Sequence, residues 1–152
     1  MIITNINLPK RKLKKTFRSV TGYFPSIKNQ RSMAFESLLE KWHFLSLEFD
    51  SSVKTYLEQP VKIEYEVAGK QYTYHPDCLI EYNDGKKRLI EVKYTTDLEE
   101  NTTELERKFN AGREYASNNS MAFDIFTEKD ITPIELSNYI FWECSRFRVS
   151  IG

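Results

Sequence analysis

Tyr74-His75-Pro76-Asp77-Cys78-Leu79-Ile80-Glu81-Tyr82, then Asn83-Asp84-Gly85, then Lys86-Lys87-Arg88-Leu89-Ile90-Glu91-Val92-Lys93 is the stretch that decides the fold. Residues 73–82 and 88–95 read as strands, and Asn-Asp-Gly between them reads as a tight turn. Loop length then sets the register. With a three-residue loop 83–85 and Gly85 left-handed, Tyr82 pairs with Lys86, and counting back puts Asp77 opposite Glu91. A two-residue Asp84-Gly85 turn shifts the pairing by one and turns Asp77 away. Glu91 and Lys93 are two apart and share a sheet face. Directly opposed side chains stand roughly 5 Å apart. In the first register, therefore, two carboxylates and an amine converge.

Two readings of that convergence compete. Hard carboxylate oxygens suit Mg²⁺, and the backbone carbonyl of Val92 offers a further oxygen. A bound divalent cation activates water and polarises a phosphate. Lys93, an ammonium at its ordinary pKa near 10.4, then faces developing negative charge, with a role as general base as the variant. The plainer reading is a cross-strand salt bridge on an exposed face, which stabilises little. Pro-Asp and Glu-x-Lys at loose spacing is a weak pattern on its own.

Outward from this stretch, residues 61–67 alternate strictly and read as a half-buried strand. Ala68-Gly69-Lys70 turns that strand into 71–82, and 88–95 completes a three-stranded meander. Residues 53–56 form a short strand, broken by Gln59-Pro60. Upstream, Ser32 reads as a helix N-cap. Phe35, Leu38, Leu39, Trp42, His43 and Leu45 follow as an apolar stripe to about Leu47. Downstream, residues 96–120 are helix-prone, with Leu105, Phe109 and Tyr115 inward. Residues 121–126 read as a fourth strand, reached by a crossover helix and so parallel to a neighbour. Pro133 opens a last helix to about Glu143. The expected architecture is α/β, a mixed central sheet flanked by helices.

The chain has 152 residues, enough for one domain with a real core. Two cysteines, Cys78 and Cys144, exclude a disulfide scaffold. No apolar run reaches membrane-spanning length and no signal-peptide pattern opens the chain, which predicts a cytoplasmic protein. The formal net charge of zero hides an asymmetry. Residues 1–31 hold eight bases and no acid: Lys10, Arg11, Lys12, Lys14, Lys15, Arg18, Lys28 and Arg31. The rest of the chain is correspondingly acidic. Residues 1–31 also hold Pro9, Gly22 and Pro25 and read as mostly irregular chain. The expected organisation is a basic arm, 1–31, offered to a polyanion or an acidic protein partner or else simply solvated, and a domain, 32–152.

A third carboxylate strengthens the catalytic reading. Glu36 and Glu40 lie one turn apart on one helix face, and either is a candidate. Both also read as surface acids. His75 and His43 are more often structural.

The chain resembles a family over roughly residues 20–145. Gly22-Tyr23-Phe24-Pro25-Ser26-Ile27-Lys28, Ser37-Leu38-Leu39-Glu40, residues 44–53, Glu58-Gln59-Pro60, Tyr74-His75-Pro76-Asp77, Ile90-Glu91-Val92-Lys93, Leu105-Glu106-Arg107-Lys108 and residues 124–133 are similar to blocks of the TnsA endonuclease subunit of heteromeric bacterial transposases. The resemblance implies a restriction-endonuclease-like fold of the PD-(D/E)xK class. It implies Mg²⁺-dependent cleavage of double-stranded DNA at the 5′ ends of a mobile element, with Mn²⁺ as a substitute. It implies a DDE-type recombinase as partner and an AAA+ ATPase as regulator. It selects Glu40 over Glu36, matches Asp77 and Lys93 to the metal-binding Asp and catalytic Lys, and puts Glu91 where some members carry Gln. Fuller-length members carry a further winged-helix-like domain that contacts the regulator, so that contact is expected on the basic arm or the core surface here. Phage head-completion nucleases share this core and are the alternative within the class. A non-catalytic DNA- or partner-binding module on the same fold is the alternative outside it.

Overall fold

The computed structural model describes residues 20–135 and 137–141. Within them the sheet at the centre is four-stranded and mixed. Strands β3 (Val53–Glu58), β6 (Cys78–Tyr82), β7 (Lys87–Val92) and β8 (Ala122–Phe126) lie in that order. β3 with β6 and β6 with β7 are antiparallel, and β7 with β8 is parallel. The parallel step is the predicted crossover, made by helices α2 (Thr95–Glu100) and α3 (Thr102–Asn118). The chain is α/β with a mixed central sheet flanked by helices, as a restriction-endonuclease-like fold requires.

Alternation along β7 sends its side chains to two cores. Ile90 and Val92 join Cys78 and Ile80 under helix α1 (Leu38–Phe49), against Leu39, Phe44, Leu45 and Leu47. Leu89 goes to the other face, with Tyr74, Leu79, Ala111, Tyr115 and Phe123. That face is covered by α3 and by a separate hairpin of β4 (Ile63–Val67) and β5 (Lys70–Tyr74). Gly112 lets α3 come so close. A Cβ there meets Phe123 at 2.6 Å and Tyr74 at 3.1 Å. Among the described residues no helix is long and apolar enough to cross a membrane.

Three expectations need correction. Residues 71–82 are not one strand, and the meander is not one sheet. The chain breaks at His75-Pro76-Asp77, leaving β5 in the hairpin and starting β6 in the central sheet. Proline has no N–H to continue a ladder and forces the residue before it away from helical backbone. Residues 22–35 are not irregular chain. β1 (Gly22–Ser26) and β2 (Arg31–Phe35) pair antiparallel, with Phe24, Met33 and Phe35 buried in the α1 core. The expected division at 31/32 thus cuts through a packed hairpin. Finally, the helix starts at Leu38, with Ser37 as N-cap in place of Ser32. Ser32 sits in β2 opposite Pro25. Helix is described at residues 133–135 and 137–141, within the span expected for the last helix. Lys10, Arg11, Lys12, Lys14, Lys15, Arg18 and Cys144 lie outside the described residues.

His43 is in the core, as its place on the apolar stripe suggested. It is 2 % exposed, its ring centroid lies 4.6 Å from that of Phe126, and its Nδ1 has no hydrogen-bond partner. Burial lowers its pKa from 6.5 to about 3. A folded value below the unfolded one gives stability that is full above about pH 6.5 and lost as pH falls towards 3. The slope approaches about 1.4 kcal/mol per pH unit. Melting curves from pH 7 to 4 are expected to fall more steeply for the natural chain than for His43→Leu. Parallel curves contradict this.

Candidate active site

The loop between β6 and β7 takes the three-residue form. Gly85 has φ +85°, its N–H donates to the Tyr82 carbonyl at 3.0 Å, and Tyr82 N–H donates to the Lys86 carbonyl at 2.9 Å. A positive φ is cheap for glycine, which is why this turn closes here. The ladder then runs from Glu81 opposite Lys87 to Cys78 opposite Ile90. The ladder ends there, and beyond it Asp77 lies close enough to Glu91 to feel its charge.

Asp77 ends the ladder by replacing backbone with side chain. Its N–H donates to the Ile90 carbonyl at 3.0 Å, and its Oδ2 accepts from Val92 N–H at 2.7 Å. Its own carbonyl accepts from Gln59 N–H at 3.0 Å. Asp77 Oδ1 has no partner among the described residues.

Glu91 is the buried acid. It is 1 % exposed, so its charge is met by the protein. Tyr74 donates its hydroxyl to Oε2 at 2.8 Å, and Lys108 Nζ lies 2.8 Å from Oε1. Lys93 reaches the same Oε1 at 3.4 Å. Glu91 thus contacts β5 and α3, and Lys93, just past the end of β7, pairs with it.

Glu40 arrives from the helix on the other face. Its backbone N–H donates to Ser37 Oγ at 3.1 Å, and its Oε2 accepts from Glu36 N–H at 2.8 Å. This is a capping box displaced by one residue at its second bond. Among the described residues no hydrogen bond or ion pair joins Glu40 to Asp77, Glu91 or Lys93. The link is electrostatic: Glu40 feels Lys93, and Asp77 feels Glu40. Glu36 turns instead to Gln59, whose Nε2 donates to it at 3.2 Å.

The charges are unbalanced. Burial raises the Asp77 carboxyl well above its usual range, and Glu91 and Glu40 add to this while Val92 N–H and Lys93 oppose it. Burial also raises Glu40, eased by Glu36 N–H. For Lys93, burial lowers the pKa, but Glu91 and Asp77 outweigh it and the value ends raised. Lys93 is therefore an ammonium at neutral pH. Asp77, in the fields of both Glu91 and Glu40, is a hard-oxygen donor whose charge a divalent cation would relieve. Such a group fits. Among the described residues, however, no three acidic, histidine or cysteine side chains are gathered closely enough to hold an ion as they stand.

A family model described as TnsA-like endonuclease N terminal matches residues 50–128. The chain belongs to the TnsA-like endonuclease family. The match covers Asp77, Glu91, Val92, Lys93 and Lys108, while Glu40 lies before it. No curated protein matches the chain. A TnsA-like domain implies a DNA substrate and a transposase partner, and nucleases of this type commonly use divalent metals.

Two expected DNA contacts have protein partners. Lys28 Nζ donates to the Asp50 carbonyl and, at 2.8 Å, to that of Val53. Arg31 makes a two-pronged bond to Glu58, at 2.9 and 2.6 Å, and that bond holds its pKa up. Conversely, sequence reasoning gave no role to Tyr74 or Lys108, which hold Glu91. Tyr74 adjoined the quoted motif, but its hydroxyl finds Glu91 only because β5 leaves the central sheet. His75 is exposed.

Proposed function

We propose that this TnsA-like chain is a Mg²⁺-dependent DNA endonuclease subunit of a heteromeric transposase, hydrolysing phosphodiester bonds at the 5′ ends of a mobile element in the cytoplasm. The reading is supported by the charge cluster just beyond the β6–β7 ladder: Asp77 lies in the field of Glu91, and Lys93 reaches Glu91 at 3.4 Å, inside the family match. Asp77, Glu40, Glu91 and the Val92 carbonyl are the groups that would hold the cation. When bound, it supplies a water of lowered pKa and polarises the phosphate. Lys93 contributes a fixed positive charge where the phosphate gathers negative charge. Asp77, fixed by Val92 N–H, keeps one oxygen for the cation. Ser37 and Glu36 hold Glu40 at the helix entrance. Lys10, Arg11, Lys12, Lys14, Lys15 and Arg18 supply phosphate contacts, giving steep salt dependence of DNA binding. The partner is a DDE-type recombinase that cuts the 3′ ends, with an AAA+ ATPase as regulator.

The test is nicking of supercoiled and element-end DNA with Mg²⁺ or Mn²⁺, with and without the recombinase. Nicking that needs the cation and rises with the partner supports the reading. Nicking in none of these mixtures, or equal nicking by Asp77→Ala, ends it.

A further inference from the structure

Lys108 is closer to Glu91 than Lys93 is. It reaches Oε1 at 2.8 Å, against 3.4 Å for Lys93 on the same oxygen. It comes from α3 and lies with its Nζ 4.6 Å over the ring of Tyr74. Tyr74 in turn fills Oε2. Each Glu91 oxygen is thus committed to a protein donor, in a carboxylate 1 % exposed. An ammonium and a divalent cation on one oxygen repel each other strongly where water is scarce.

We infer that Lys108 competes with a divalent cation for Glu91 Oε1 and so sets the affinity of the site for that cation. The inference rests on the proposed reading of Glu91 as a metal ligand. It gives Lys108 a positioning role distinct from that of Lys93. Lys93 follows β7 directly and also feels Asp77, whereas Lys108 pairs with Glu91 from α3. A released Lys108 keeps a stabilising position over the electron-rich face of Tyr74. The cation can then exchange with Lys108 without stranding a buried charge.

The experiment is calorimetric titration of the full chain with Mn²⁺, on the natural protein, Lys108→Gln and Lys108→Arg. Lys108→Gln is expected to bind on the order of tenfold tighter, because a hydrogen-bond donor remains and the charge is gone. Lys108→Arg is expected to stay within about threefold of the natural affinity. Unchanged or weaker binding by Lys108→Gln overturns the inference, since a residue that merely supports a ligand loses affinity when removed. A second measurement needs no variant. Reductive methylation of Lys108 in the natural chain, read by mass spectrometry, is expected to quicken severalfold with Mn²⁺, and an unchanged rate overturns the inference. Heat from the natural chain with an unaltered Lys108→Gln affinity defeats this inference alone. No heat from the natural chain defeats it together with the metal-dependent reading.

Discussion

Asp77→Asn is expected to abolish nicking, by on the order of 10³-fold or more, and at the same time to raise the melting temperature of the metal-free protein at neutral pH. Both effects come from one cause. Burial, with the charge of Glu91 and then Glu40, holds the Asp77 carboxyl well above its usual pKa. A folded pKa above the unfolded one means that the folded state prefers the proton. That preference stabilises the fold at acid pH, and the benefit is lost as pH rises from the unfolded value through the folded one. Asn imitates the protonated form, because its amide oxygen still accepts from Val92 N–H. The variant should therefore melt higher at pH 7 in a chelator. The gap should close on acidification. His43 works with the opposite sign, so the comparison is made between variants and not along one curve. Equal melting at pH 7 contradicts the electrostatic account, and retained nicking contradicts the catalytic one.

The second large effect lies outside the site. Glu48 is where the β1–β2 hairpin is fastened to α1. Its carboxylate accepts from Ser26 Oγ at 3.0 Å, Ile27 N–H at 2.5 Å, Lys28 N–H at 2.9 Å and the Tyr56 hydroxyl at 2.8 Å. Tyr56 is 3 % exposed and Ser26 5 %, so removing the acceptor strands donors away from water. Glu48→Ala is expected to cost about 3 kcal/mol, the scale of charge-assisted bonds lost with donors left unmet. In thermal unfolding that is a fall of about 6–12 °C. A loss under about 1 kcal/mol would mean that the apolar contacts of Phe24 and Met33 hold the hairpin unaided.

These two residues mark what was legible. Around Asp77 local chemistry decides: a glycine at the one position needing positive φ closes a three-residue loop, and the register follows by counting. β8 was legible for a similar reason, because an apolar strand reached through a crossover helix has few places to pair. The hairpin at 22–35 was hidden because its basic residues read as a solvated arm. Lys28 and Arg31 instead spend their charge on the Asp50 and Val53 carbonyls and on Glu58. The helix start was misplaced because Ser32 and Ser37 both suit an N-cap. Only the Ser37-to-Glu40 spacing forms the box, and β-pairing of Met33 and Phe35 overrides the apolar stripe. The break at Pro76 was present in the sequence and was read through. The surroundings of Glu91 were not legible, because Tyr74 and Lys108 come from a hairpin and a helix whose approach depends on Gly112 and the packing of Phe123.

The central claim is that Asp77 and Glu91 form one cation-binding site. The most direct test is diffraction at the manganese absorption edge from crystals of the full chain grown with Mn²⁺. The account predicts an anomalous peak bonded to carboxylate oxygens of both Asp77 and Glu91, absent in Asp77→Asn crystals. A peak elsewhere, or none at saturating Mn²⁺, would contradict it.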